Sequence, residues 1–280
     1  KEQLHELIPE WGFTEVEIFL KMHKKEKWSL DDLAAVLYLH AKIKGISDEW
    51  KMQVVFIDEV QDYSIMQLVA LKEALETDMF TMVGDLAQGI HQYRSLTNWR
   101  PVLELFPRAT YATLQKSYRT TIEIMDVANK VLLQMNEELP LVEPVVRHGR
   151  SPQFLQSETF NVQTIVEQYE ELARKHRSIA LITKTTEEAK FIEKSLAEYL
   201  HVQRLEPNSS LQPNIQLLIV PSHLAKGLEF DAVIVCIVNE QYNATPIDQK
   251  LLYVAFTRAM HDLVLVGPTL ESFLLQPNDL

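Results

Sequence analysis

Apolar side chains recur along this chain with two periods, and the switch between them sets out its elements. The first fifty residues read as helical. Ser29, Leu30, Asp31 and Asp32 look like a capped start, Leu33, Val36, Leu37 and His40 follow at helical spacing, and Gly45 ends the run. Short apolar runs then alternate with amphipathic ones. Strands are predicted at 53–57, 79–83, 109–114, 179–183, 216–220, 232–237 and 262–266. Helices are predicted at 64–76 (Ile65, Leu68, Val69 and Leu75 inward), at 121–135, around Val162, Ile165, Val166, Tyr169 and Leu172, and at 247–259. A further helix at 187–200 turns Ala189, Ile192, Leu196 and Tyr199 to one side. Short, almost wholly apolar strands alternating with helices predict an α/β fold with parallel sheets covered on both faces. The Pro-, Arg- and Gly-containing stretch 139–152 reads as a connection, and a domain boundary is expected near 114–117.

Composition narrows this picture. With 280 residues, 46% hydrophobic and 24% charged, the chain suits about two ordinary globular domains. No apolar run approaches the roughly 20 residues that cross a bilayer, so no membrane association and a cytoplasmic location are expected. The single cysteine, Cys236, excludes an intrachain disulfide and reads as a small buried strand residue. The nine histidines show no zinc-ligand spacing. A net charge of −12 argues against a dedicated nucleic-acid-binding module without excluding a local basic groove, and it suits a basic protein partner equally well.

Five segments carry candidate chemistry. The strand ending in Asp58-Glu59-Val60-Gln61-Asp62 sets two acids beyond a strand's C-terminal end, where ligands bind in doubly wound sheets. Asp58 would hold Mg²⁺ there, and Glu59 would activate or orient the attacking water. Gly84-Asp85-Leu86-Ala87-Gln88 follows the next strand; Asp85 and Gln88 would project into the same crevice, with the Gln able to sense a γ-phosphate. In Tyr118-Arg119 an aromatic ring suited to a base stands beside a guanidinium suited to phosphate. Residues 221–231 include His223, Lys226, Gly227 and Glu229. In residues 252–259, Arg258 is expected to point out of an apolar helix end toward a γ-phosphate. Each segment alone would pass for an ordinary turn, surface arginine or helix end.

Together, in this order, they resemble the UvrD/Rep branch of superfamily 1 helicases. The acid pair resembles that family's Walker B motif, and 84–88, 118–119, 226–229 and 254–259 resemble its third to sixth motifs. The resemblance runs from about Val54 to Gly267. It implies RecA-like (P-loop NTPase) sheets: a helical segment over 1–52, a partial first RecA-like domain over 53–116 and a second over 117–280. It also implies ATP and Mg²⁺, with Asp58 as metal ligand and Glu59, Gln88, Arg119 and Arg258 as catalytic groups. Tyr118, Asp85, Gly227 and Glu229 would lie at the nucleotide, Glu229 reaching the ribose. His223, Tyr93 and Trp99 would touch single-stranded nucleic acid.

Two departures from the family qualify that picture. No Gly-x-x-x-x-Gly-Lys-Ser/Thr loop occurs, so the phosphate cradle is expected upstream of Lys1, and this stretch is expected to hydrolyse no ATP alone. Only residues 201–222 precede His223 where DNA helicases of this type carry a large inserted domain. That compactness, with the wording around Asp62-Tyr63-Ser64, Lys116–Thr120 and Leu251–Ala259, resembles the HelD group, bacterial helicase-like ATPases that bind RNA polymerase. The leading expectation is therefore an ATP-driven remodeller of RNA polymerase core complexes. A single-stranded DNA translocase and a catalytically silent scaffold are the alternatives.

Overall fold

The computed structural model describes residues 30–90, 96–135, 139–145, 147–210, 212 and 214–280. The capped start at Ser29 and the candidate Tyr93 lie outside the described residues. The chain divides into two compact units, with the break between Tyr111 and Ala112.

The first unit opens with α1 (Leu30–Lys44), ended by Gly45 at φ +72, whose N–H donates to Ala41 O at 3.0 Å. Only a residue free of Cβ strain adopts that left-handed turn at little cost. The buried residues of α1 are Ala34 and Leu39, whereas Leu33 and His40 are exposed. The residues at helical spacing are thus not the buried set: residues 33–39 are all apolar and cover the helix circumference, so spacing alone does not choose its inner side. The helix packs against α2 (Ile65–Leu75). There Ser64 and Gln67 form a reciprocal capping box that fixes the N-terminus, and Leu68, Ala70 and Ala74 are buried. Strands β1 (Val55–Ile57) and β2 (Phe80–Met82) pair in parallel, Val55 opposite Phe80 and Ile57 opposite Met82. A short α3 (Arg100–Leu105) follows. The expected strand at 109–114 does not form; Ala109, Thr110 and Tyr111 instead line a cleft beside Phe80. Nor is this small sheet covered on both faces by the described residues, since Val54, Phe56, Met79 and Val83 are exposed.

The second unit is built on six parallel strands among the described residues: β5 (Gln153–Gln156), β6 (Ile179–Thr183), β7 (Val202–Arg204), β8 (Leu217–Pro221), β9 (Phe230–Cys236) and β10 (Ala259–Gly267). They lie in the order β5-β10-β9-β6-β8-β7. Every residue of β6 and β8 is buried, the burial that makes central parallel strands read as unbroken apolar runs. The helices are α4 (Ile122–Leu133), α5 (Val162–Ala173), α6 (Thr186–Leu196) and α7 (Pro246–Thr257). Ile165 of α5, together with Ala189, Ile192 and Leu196 of α6, packs in one cluster with Leu181, Ile219 and Ile234 from the sheet. Tyr199, expected on the same inner stripe, is exposed because α6 ends at Leu196. Cys236 is buried, and burial pushes its thiol well above the ordinary range. The stretch read as a plain connection carries β4 (Glu143–Pro144), paired in parallel with β3 (Lys116–Ser117). No helix of the described residues is long and apolar enough to cross a membrane.

Candidate functional site

In the first unit, β1 runs into Asp58 and Glu59. The Asp58 carboxylate accepts the Glu59 N–H at 2.8 Å, which holds the acid back against its own turn. Glu59 has φ 52 and ψ 41, a left-handed conformation that costs a residue with a Cβ about 1 kcal/mol or more. Its side chain is thereby turned toward Gln61, whose Nε2 donates to Glu59 Oε2 at 2.5 Å. Gln61 is fully buried, and its Oε1 accepts the Asp85 N–H at 3.1 Å. Asp85 caps the short turn of 86–88 through Ala87 N (2.9 Å) and accepts from Gln88 Nε2 at 2.7 Å. The carboxylates and amides after β1 and β2 thus form one hydrogen-bonded line, Glu59–Gln61–Asp85–Gln88. Gly84 is required beside it: a Cβ there would come within 2.3 Å of Gln61 Oε1 and 3.1 Å of Val60 Cγ1. Asp58, Glu59, Asp85 and Gln88 were legible as candidates, but Gln61 was missed as a working residue. A small glycine facing a buried amide across 23 residues leaves no local sequence signal.

Asp58 is exposed at the end of its strand and offers hard oxygen donors. Among the described residues no group of three or more His, Cys, Asp or Glu could hold a metal ion. That donor set suits Mg²⁺, which keeps several waters and takes one or two carboxylates along with substrate phosphates. Trp99 lies apart from this line; it is half-buried and packs on Tyr111 with ring centroids 5.7 Å apart.

In the second unit the candidate residues gather at the N-terminal ends of β9 and β10, not beyond the C-terminal ends of the strands. Arg119 pairs with Glu229, NH2 to Oε1 at 2.6 Å, and both are exposed to solvent. Gly227 adopts φ +78 in the loop before β9, and Tyr118 is exposed over 72% of its surface. Arg258 corrects an expectation. It is buried, and its nitrogens donate to Val254 O (3.1 Å), Leu228 O (3.1 Å) and Thr257 Oγ1 (3.2 Å). The guanidinium folds back along α7 because carbonyls at the helix end and in the preceding loop are left open by the secondary structure and attract it. It therefore ties the 226–229 loop to the end of α7. His223 sits elsewhere, exposed in a short turn after β8. The C-terminal ends of β6 and β8 are closed internally. Lys184 pairs with Asp248 at 2.8 Å, and Ser222 Oγ donates to Thr183 O at 2.7 Å beside the Tyr242 hydroxyl.

The UvrD/REP helicase N-terminal domain family matches residues 13–98, and the UvrD-like helicase C-terminal domain family matches residues 216–266. The first segment contains the Glu59–Gln88 line, and the second contains Gly227, Glu229 and Arg258 but neither Tyr118 nor Arg119. Both segments are thus similar to parts of UvrD/Rep-type helicases. This UvrD-like chain is 27% identical over 126 residues to the ATP-dependent DNA helicase PcrA of Bacillus subtilis (strain 168); the match takes in 43% of the chain and 17% of PcrA, so only a small part of that relative's length is represented. It also matches the crystal structure of the C-terminal domain of a possible DNA helicase from Lactobacillus plantarum WCFS1, with 33% identity and a TM-score of 0.44, over 54% of this chain and 87% of that one. Within the UvrD-like chain, sequence reasoning also missed Arg147. One of its nitrogens donates to both Arg119 O and Met260 O, each at 2.5 Å. No motif marks it, because it acts on backbone carbonyls whose own side chains are irrelevant to the contact.

Proposed function

We propose that this chain is part of an ATP-hydrolysing UvrD-type motor, and that the motor acts on RNA polymerase–nucleic acid complexes. The hydrogen-bonded line from Glu59 through Gln61 and Asp85 to Gln88 carries the ATPase reading. It holds a general-base carboxylate and a phosphate-sensing amide in fixed relation at the C-terminal ends of adjacent parallel strands. Asp58 would hold Mg²⁺, which when bound neutralises charge on the nucleotide phosphates. Glu59 accepts the proton of the attacking water, with Gln61 fixing the direction of its carboxylate. Gln88 reports the presence or absence of the γ-phosphate to the turn it ends. Arg119, once released from Glu229, supplies positive charge to the phosphates; Glu229 then turns to the ribose, with Gly227 letting the loop approach and Tyr118 stacking near the base. Arg258 fixes the loop on which Glu229 stands.

The choice of polymerase rests on the short passage from α6 to β8. It is taken up by β7, which joins the same sheet as an edge strand, and it leaves no inserted domain in the place where DNA helicases of this type carry one. The net charge of −12 suits a partner with a basic face. A single-stranded DNA translocase is the second reading, favoured by Trp99 as a stacking platform.

The test is the steady-state ATPase rate of the full-length protein alone, with single-stranded DNA, and with RNA polymerase core. Glu59→Gln is the control, expected to lower turnover by about 10²-fold or more. Stimulation by polymerase but little by DNA supports the first reading. Strong DNA stimulation transfers the assignment to the translocase. Turnover insensitive to Glu59→Gln removes the ATPase reading altogether.

A further inference from the structure

The structure assigns Arg147 as a positioning residue that holds the Arg119 segment against the Arg258 segment; this rests on the ATPase reading above. Three observations converge on it. The first is the double contact: a single guanidinium nitrogen donates to Arg119 O and to Met260 O, each at 2.5 Å, joining backbone 28 and 113 residues away. The second is the origin of the Met260 carbonyl. Between Ala259 and Asp262 the register of β10 slips against β9, so that three steps on β10 span two on β9. A bulge of this kind leaves a residue unpaired in the ladder, and Arg147 satisfies the carbonyl so released. The third is the strap on which Arg147 stands. Ile122 N donates to Arg147 O at 3.0 Å, Gly149 N donates to Glu123 Oε2 at 2.8 Å, and His148 Nδ1 lies 2.9 Å from Glu123 Oε1. Gly149 also lies so close to Thr121 that a Cβ would stand 2.5 Å from Thr121 Cγ2. The strap is thereby clamped over the first turn of α4, immediately after Arg119.

The consequence is mechanical. Arg119 is exposed, and its backbone lies in a short bend between β3 and α4, outside the ladder, where its N–H makes a long hydrogen bond to Ser117 Oγ at 3.4 Å. Arg258 is held rigidly at the end of α7. Arg147 transmits that rigidity from the start of β10 to Arg119, setting the height at which the Arg119 guanidinium leaves the surface. Its Nε is buried without a hydrogen-bond partner among the described residues. A partly buried cation depends on the few bonds it has, so the two carbonyls govern where the strap sits.

The experiment uses the full-length protein with Arg147→Met, which keeps the stem and removes the donors, and Arg147→Lys, which keeps a donor. Arg119→Ala and the Arg119→Ala/Arg147→Met pair complete the cycle. Steady-state kcat and KM for ATP, affinity for a fluorescent ATP analogue, and the thermal midpoint are measured for each. Arg119→Ala is expected to lower kcat by about 10³-fold, and Arg147→Met by roughly 10–10²-fold with KM little changed, as for a misplaced group. Arg147→Lys recovers part of the loss, and Arg147→Met adds little in the Arg119→Ala background. If Arg119→Ala is impaired while Arg147→Met keeps wild-type kcat, the positioning role is overturned. It is equally overturned if the two losses multiply fully or if Lys gives no rescue. Wild-type kcat in Arg119→Ala would instead overturn the ATPase reading and take the role of Arg147 with it. Analogue affinity separates the cases, since a variant that merely unfolds loses binding and midpoint together.

Discussion

Gln61 illustrates how one side chain can set the geometry of two loops. It is wholly buried, donating to a carboxylate on one side and accepting a backbone N–H on the other. Gln61→Leu keeps the volume and removes both bonds, leaving Glu59 and Asp85 N short of a partner. The expected cost is about 1–3 kcal/mol of stability, read as a fall in thermal midpoint, with a larger loss of ATPase activity in the full-length protein. Gly84→Ala should fail in the same direction, because the added methyl meets the Gln61 amide and the Val60 side chain and backbone. A normal midpoint and rate in Gly84→Ala would show that the amide can move aside. At this scale the acids and the Gln88 amide were legible, because strand ends and a glycine turn announce them. Gln61 and Arg147 were not, since their partners are distant in sequence and are largely backbone. Arg258 was legible by type but not by direction: a helix-end arginine is free to reach out or to fold back, and the open Leu228 and Val254 carbonyls decide for the latter.

At the scale of elements, the best-read helices were those with one clear stripe. Ala189, Ile192 and Leu196 on α6 face the core as expected, with Thr185 and Glu188 forming a capping box at its start. Thr185→Ala should cost about 1 kcal/mol, visible as a lower midpoint, with the Glu188 contacts to the N–H groups of residues 238–240 weakened in hydrogen exchange. The buried side of α1, apolar without a break from Leu33 to Leu39, did not follow from spacing, and the stretch 109–114 was misread, its strand-like composition having no pairing edge taken up in the structure. The strap over α4 gives a pH-dependent prediction. The hydrogen bond with His148, helped by the Gly149 N–H, lowers the Glu123 carboxyl to about 2 from its ordinary 4.5. A depressed carboxyl stabilises the fold above its unfolded value and ceases to do so as pH falls through the folded value. Glu123→Gln should therefore lower the midpoint at neutral pH by an amount corresponding to about 1 kcal/mol. The gap to wild type should shrink between about pH 4.5 and 2. A gap that stays constant across that window would mean that shape, not charge, holds the strap.

At the scale of the whole molecule, the second unit was the more legible, since buried parallel strands alternating with helices impose an almost unmistakable pattern. The short edge strands β5 and β7 and the two-residue pair β3–β4 escaped because so few residues carry no period. The strand order has a further consequence, which concerns time. Strand β10 lies between β5 and β9, so the earliest strand of the sheet has no neighbour until one of the latest is made. A ribosome extends a chain at about 5–20 residues per second. The hundred or so residues between β5 and β10 therefore correspond to several seconds during which β5 waits unpaired. Nascent chains arrested just before Ala259 should be cut readily by protease near residues 153–156, and chains arrested with Gly267 clear of the exit tunnel should resist. The order of strands in this sheet thus makes completion of the fold a late event in synthesis, and leaves the growing chain in need of shelter until then.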